Sequence, residues 1–201
     1  MNLYAKIIKR ILDIFISILS LPFILILTII IGPVIWLEDK GSIFFCADRL
    51  GQYGKVFKMI KFRSMKVNSP NLRNADGSTF NSANDPRVTK IGRIMRQTSI
   101  DEIPQFLNVL LGQMSIVGPR AFMTTSYKGY DNLDDRRKKR LEVKPGITGY
   151  AQAFFRNSIT TDEKIKWDCF YADNVSFMLD LKILFKTVES VLLRKNIYTN
   201  Q

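Results

Sequence analysis

The 201-residue chain contains no histidine and only two cysteines, Cys46 and Cys169, which lie far apart. Without imidazole there is no Ser-His-Asp triad, no phosphohistidine and no ordinary zinc site. The cysteines show no C-x-x-C spacing, so neither a metal knuckle nor a disulfide framework is indicated, and a reducing compartment is expected. Acidic residues are scarce too: 18 Asp plus Glu stand against 30 Lys plus Arg, a net charge of +12. An anionic partner is implied, and nucleic acid, acidic lipid and phosphorylated small molecules all suit that charge. Any catalysis falls to carboxylates and cations. The chain also lacks internal repeats and low-complexity tracts.

Charge is missing altogether from residues 14–37, where Ile, Leu, Phe and Val dominate. This is long enough for a bilayer crossing at about 20 residues. It exceeds the roughly 7–15 residue core of a signal peptide, and no A-x-A-like site follows, so cleavage is not expected. Lys6, Lys9 and Arg10 precede it, which by the positive-inside rule holds that side in the cytoplasm. Hydropathy leaves two readings open. One is a kinked spanning helix; the other is a re-entrant helix that dips in and returns, broken near Ser20 and Pro22, with Gly32-Pro33 as a second interruption. In the re-entrant case Ser17, Ser20 or Thr28 would satisfy backbone groups freed by the break. Past Glu38-Asp39-Lys40-Gly41 the composition turns to that of a soluble domain, which divides the chain into 1–40 and 41–201.

Residues 42–46 and 56–62 read as short strands joined by a turn with Gly51 and Gly54, a hairpin. Residues 66–89, rich in Ser, Asn, Asp and Gly, read as a long loop. Two adjacent carboxylates, Asp101 and Glu102, stand just after Arg87, Lys90, Arg93 and Arg96. Ser99 with Glu102 matches a capping box, and Ile103, Phe106, Leu107 and Leu110 follow at helical spacing. The pair either caps a helix or serves phosphate chemistry there, with a divalent ion bridging carboxylates and anion. Arg120 follows a rigid Gly118-Pro119 turn and is either a bidentate phosphate contact or a surface arginine. The glycines of Lys144-Pro145-Gly146-Ile147-Thr148-Gly149 allow close approach to a ligand or make an ordinary turn. The basic run 136–140 is a solvated face or a lipid contact. Phe177, Leu181, Leu184, Val188 and Val191 stripe one helix face, for the core or for a membrane interface.

These segments resemble the bacterial sugar transferase family, the monotopic phosphoglycosyl transferases, over nearly the whole chain. The likeness rests on Lys9-Arg10 with Asp13, Lys61-Phe62-Arg63-Ser64-Met65, Asp85-Pro86-Arg87-Val88-Thr89, Ile91-Gly92-Arg93 and Arg96. It continues through Thr98-Ser99-Ile100-Asp101-Glu102-Ile103-Pro104-Gln105, Asn108-Val109, Met114-Ser115, Gly118-Pro119-Arg120, Pro145-Gly146-Ile147-Thr148-Gly149 and residues 176–182. The resemblance implies an α+β fold: a re-entrant N-terminal membrane helix, then a small, mostly helical cytoplasmic domain with a short β-hairpin and interfacial amphipathic helices. It implies a bacterial inner-membrane enzyme on the cytoplasmic face, moving a phospho-sugar from a UDP-sugar to undecaprenyl phosphate with release of UMP and a need for Mg²⁺. Asp101 would be the nucleophile, forming an aspartyl phosphosugar, and Glu102 would help hold Mg²⁺. Lys61, Arg96, Arg120, Lys144 and Arg156 are the expected substrate contacts. A homodimer is entertained without a motif that marks it, and no nucleic-acid partner is expected.

Some positions depart from the family pattern. Ser20-Leu21-Pro22 replaces the usual Ser-Pro, Ala121 replaces a second proline, Lys144 stands where Arg is usual, and Phe154-Phe155-Arg156-Asn157 replaces a glycine-bearing segment. These bear on the depth of the dip and on sugar choice more than on chemistry. The rival classes are a basic membrane-tethered binding module, for nucleic acid or lipid, and a silent assembly scaffold. Both would tolerate Asp101→Asn.

Overall fold

The structure, a computed structural model, describes residues 3–70, 72, 80, 82, 84–124 and 129–193. A π-helical turn, Tyr4–Ile8, leads into one long helix, α1, Lys9–Asp39. At 1.5 Å per residue α1 is about 46 Å long. The residues around Ser20 and Pro22 do not divide the segment into two helices, since α1 stays helical through Pro22 and Pro33. The Ser20 hydroxyl donates to the Ser17 carbonyl at 2.7 Å and Thr28 to the Ile24 carbonyl at 2.7 Å, not to the Ile18 and Ile29 carbonyls that the two prolines leave free. Lys40, left-handed with φ 58°, ends the helix.

One face of α1 is buried at Asp13, Ser17, Ile24, Gly32 and Ile35, while Ile11, Phe15, Leu19, Phe23, Ile26 and Ile30 are exposed. Both ends of that buried face are tied to the rest of the chain. At the start, Lys9 pairs with Asp180 at 2.5 Å, and the Tyr4 hydroxyl donates to the same carboxylate at 2.6 Å. Arg10 donates to the carbonyls of Val109 and Leu110, and Asp13 accepts the Ile116 N–H at 3.0 Å. At the far end, Asp39 pairs with Arg63 at 2.6 Å, and Ile35 packs with Phe62 and Met95.

The expected hairpin is present, with its first strand longer than read: β1, Phe44–Leu50, pairs antiparallel with β2, Val56–Phe62. Helices α2, Lys90–Thr98, and α3, Gln105–Leu110, follow. Strand β3, Ser115–Val117, comes next, and β4, Phe122–Met123, adds to the free edge of β1. The expected loop 66–89 lies partly outside the described residues; at its margins the buried Arg87 pairs with Asp85 and donates to the carbonyls of Pro70 and Phe80.

The second half holds α4, Asp135–Arg140; β5, Gly146–Thr148; α5, Tyr150–Phe154; α6, Thr161–Asp173; and α7, Phe177–Leu192. Strand β5 runs parallel to β3. Its glycines therefore serve the approach of two backbones: a Cβ on Gly146 would stand 2.1 Å from the Gly118 nitrogen. The basic run is not all surface, since Arg140 is buried, pairs with Asp168 at 2.6 Å and lies over the Phe122 ring. Helix α7 turns Asp180, Ile183 and Ser190 inward and leaves Phe177, Met178, Phe185, Val188 and Leu192 exposed. The striped residues thus flank the buried face, with only Ile183 of α7's aliphatics fully in the core.

Candidate active site

Helix α2 is capped by Thr89, whose hydroxyl accepts the Gly92 N–H at 3.0 Å. Gly92 lets α2 lie directly on the strand-end backbone: a Cβ there would meet the Ser64 carbonyl oxygen at 2.1 Å. That contact brings Arg96 to Ser64, Nε to Oγ at 3.0 Å. Ser99 closes α2 in the left-handed conformation, φ 58°, and the chain then makes a 3-10 turn, Ile100–Glu102. The expected capping box does not form. Ser99 is committed to ending the preceding helix, its side chain caps nothing, and Glu102 is drawn instead to the Lys61 ammonium, Nζ to Oε1 at 2.5 Å.

Arg120 stands 3.6 Å from the same Oε1 atom, and its side chain is 58% exposed, so the site opens on that side. Arg156, held at a left-handed φ of 51° just past α5, is close enough for its charge to act on Glu102. Arg96 acts on Asp101 in the same way. The structure therefore brings Lys61, Arg96, Arg120 and Arg156 around the two carboxylates. Lys144 it places elsewhere, beside Arg10 and Asp13 at the foot of α1, and Ser20 and Pro22 lie within α1.

Sequence reasoning gave Asn108 no role, yet it holds the site together. Fully buried on α3, it accepts the Ile60 N–H at 2.9 Å and donates to the Lys58 carbonyl at 2.7 Å. Those are the edge groups of β2 next to Lys61, so one side chain fixes the strand that carries the ammonium. An Asn inside an apolar helical stripe was the available signal.

The two acids differ sharply. Glu102 takes both cations on one oxygen. Asp101 is 8% exposed and makes no hydrogen bond or ion pair among the described residues. Burial pushes the Asp101 carboxyl up to about 6; the Glu102 charge adds to the rise, and Lys61, Arg96 and Arg120 oppose it. Burial also works to raise Glu102, but Lys61 and Arg120 outweigh it and hold the group well below the usual carboxylate range. The result is a desolvated, basic carboxylate beside an ionised one, under a cluster of cations. Such an arrangement can present an oxyanion nucleophile to a phosphate.

Among the described residues no three Asp, Glu, Cys or His side chains gather into a metal cage. Two carboxylates are nevertheless a donor set that suits Mg²⁺, which takes one or two protein carboxylates and completes its sphere with water and substrate phosphates. Both protein contacts to Glu102 fall on Oε1, and Oε2 remains for such an ion.

A model of the bacterial sugar transferase family matches residues 4–194, and the chain belongs to that family. It is 42% identical over 193 residues to the galactosyl transferase CpsE of Streptococcus agalactiae, an alignment covering 92% of this chain and 42% of that protein. A UDP-glucose:undecaprenyl-phosphate glucose-1-phosphate transferase of Klebsiella pneumoniae is 42% identical over 94% of this chain and 41% of its own length. An uncharacterized sugar transferase of Bacillus subtilis, EpsL, is 40% identical, with 95% and 90% covered. The chain thus spans about two fifths of the first two relatives and most of the third.

A buried carboxylate with a raised pKa destabilises the fold wherever it is ionised. The cost is fully present above about pH 6 and fades as pH falls toward the unfolded value near 4. Asp101→Asn is therefore expected to melt higher than the unmutated chain at pH 8, by on the order of 1–3 kcal/mol. The gain should shrink below pH 6. Thermal unfolding in detergent across pH 4.5–8 checks this; no gain at pH 8, or a gain that grows on acidification, would contradict it.

Proposed function

We propose that the chain transfers a phospho-sugar from a UDP-sugar to undecaprenyl phosphate, giving undecaprenyl-diphosphate-sugar and UMP. The observation that carries this is the unpartnered, buried Asp101 carboxylate under four cationic side chains. Relatives named as undecaprenyl-phosphate sugar phosphotransferases support the reaction class.

An ionised Asp101 oxygen attacks the sugar-linked phosphorus of the UDP-sugar. The bond from that phosphorus to the bridging oxygen breaks, and UMP leaves with the electron pair. A phosphate oxygen of the polyprenyl acceptor then attacks the same phosphorus and releases Asp101 as carboxylate. Lys61, on the strand edge that Asn108 fixes, holds Glu102 in place; Arg120 and Arg156, on the open side, neutralise non-bridging oxygens; Arg96, oriented by Ser64, offsets charge at Asp101. Asp101 and Glu102 would hold Mg²⁺, which neutralises phosphate charge when bound.

The same reading places α1 in the membrane as a re-entrant element, with the rest of the chain on one face. Supporting this, both ends of α1 are bound to one small polar body: Lys9 and Arg10 to α7 and α3, Asp39 and Ile35 to β2 and α2. A straight crossing would put those anchors on opposite sides of about 30 Å of hydrocarbon, which a body with exposed loops cannot occupy.

The activity is tested by UMP release in detergent with undecaprenyl phosphate, Mg²⁺ and UDP-glucose, UDP-galactose or UDP-N-acetylgalactosamine, sugars named among the relatives. One donor should turn over, and Asp101→Asn should lower the rate at least about 10³-fold. An Asp101→Asn rate within about threefold of the unmutated rate would reject the nucleophile. For topology, native Cys46, and Lys6→Cys in a chain lacking Cys46 and Cys169, are labelled with a membrane-impermeant thiol reagent. Both sites should react in inside-out vesicles only, whereas opposite sidedness would sink the re-entrant placement.

A further inference from the structure

At the foot of α1 lies a cavity of about 290 Å³, separate from the two carboxylates, lined by Lys6, Lys9, Arg10, Asp13, Ser115 and Lys144, with three valines among its remaining walls. Its polar groups are unevenly satisfied. Lys9 is paired with Asp180, Arg10 gives one N–H from each terminal nitrogen to the carbonyls closing α3 and keeps further donors, and Asp13 holds the Ile116 N–H. Lys144, half-buried, makes no hydrogen bond or ion pair among the described residues. The Ser115 hydroxyl, on a residue only 2% exposed, faces the Asp13 carboxylate without a hydrogen bond of regular geometry.

Arg10 and Lys144 converge on one point. A Cβ built on Gly112 would lie 3.3 Å from Arg10 Nη2 and 3.8 Å from Lys144 Nζ. Gly112 sits at φ 80°, where side chains are disfavoured, so the space between the two cations is kept clear. Burial weakens the hold of Lys144 on its proton, and Arg10 weakens it further, with only Asp13 opposing. Four cations, Lys6, Lys9, Arg10 and Lys144, face two carboxylates, Asp13 and Asp180, which leaves two positive charges uncompensated. A phosphate monoester carries about −1.5 to −2 at neutral pH and balances that excess, whereas a phosphodiester carries half as much.

We propose that this cavity binds the phosphate monoester headgroup of a membrane lipid, gripped by Lys144, Arg10 and the Ser115 hydroxyl. The lipid's hydrocarbon follows the exposed apolar surface of the helix. The site rests on the membrane placement of α1 given above and not on the chemistry of Asp101. In the context of the proposed reaction, the lipid monoester it fits is the polyprenyl phosphate acceptor, waiting beside the active site rather than within it.

The test is equilibrium binding to the full chain in phosphatidylcholine nanodiscs with no UDP-sugar present, so its failure is separate from failure of the transfer reaction. Undecaprenyl phosphate should bind, undecaprenol should not, and millimolar inorganic phosphate should compete. Lys144→Gln is expected to weaken binding about tenfold and Ser115→Ala a few-fold, with Lys144→Arg close to the unmutated chain. Unchanged binding in Lys144→Gln, or equal binding of undecaprenol, would overturn the proposal. Competition by phosphatidylglycerol as effective as by undecaprenyl phosphate would overturn the monoester assignment. Ser115→Ala, a small change at a buried hydroxyl, keeps the test decisive should Lys144→Gln fold poorly.

Discussion

A carboxylate buried without a partner is expensive to keep ionised, and the region around Asp101 is arranged to keep it so. Glu102 absorbs the direct contacts of Lys61 and Arg120, which prevents those cations from closing on Asp101 and quenching it. Four positive side chains still surround the pair, so the field favours an anion while no single bond holds it. Several distant choices in the chain serve that balance. Gly92 seats α2 on Ser64, Ser99 turns the chain sharply into the 3-10 segment, and Asn108 ties the edge of β2 to α3.

The long helix and the site are mechanically one object. Arg10 closes the last turn of α3, the helix that follows the two acids, and Ile35 packs against Met95 of α2, the helix that precedes them. On the proposed placement of α1 in lipid, its depth would set the height of Asp101 above the bilayer. Asp180 ties the same helix to α7, whose exposed Met178, Phe185 and Leu192 give a second apolar surface. Tyr171 joins this knot, its hydroxyl donating to Asp180 at 2.7 Å and lying 3.1 Å from the Val117 carbonyl oxygen. On the proposed function, a site tied to α1 in this way would meet a polyprenyl substrate that stays in the bilayer.

Much of this was legible in the sequence, unevenly. The apolar run, the hairpin and α7 follow from local pattern, because each is dictated by residues a few positions apart. The acidic pair was visible as two carboxylates out of keeping with a basic stretch, but the capping box drawn from Ser99 and Glu102 was not realised, since both residues answer to neighbours from other elements. Lys61, Arg120 and Arg156 reach the site from positions 61, 120 and 156, and only family likeness could join them. Lys144 belonged to the same expectation and is held instead at the foot of α1. The pairing of β3 with β5 and the tethering of both ends of α1 are non-local, and hydropathy cannot see them. Asp13, buried at the edge of a greasy helix, is the residue whose partner the sequence most concealed.

The central claim is that Asp101 itself becomes bonded to phosphorus. The direct measurement is a single turnover with labelled UDP-sugar and Mg²⁺ in the absence of lipid acceptor, followed by rapid acid quench and mass spectrometry of the peptide carrying Asp101. UMP released in one equivalent, a phosphosugar adduct on Asp101, and its transfer to undecaprenyl phosphate on chase are the predicted result. UMP released only when acceptor is present, with no adduct on that peptide at any time, would show direct transfer between substrates and contradict the account.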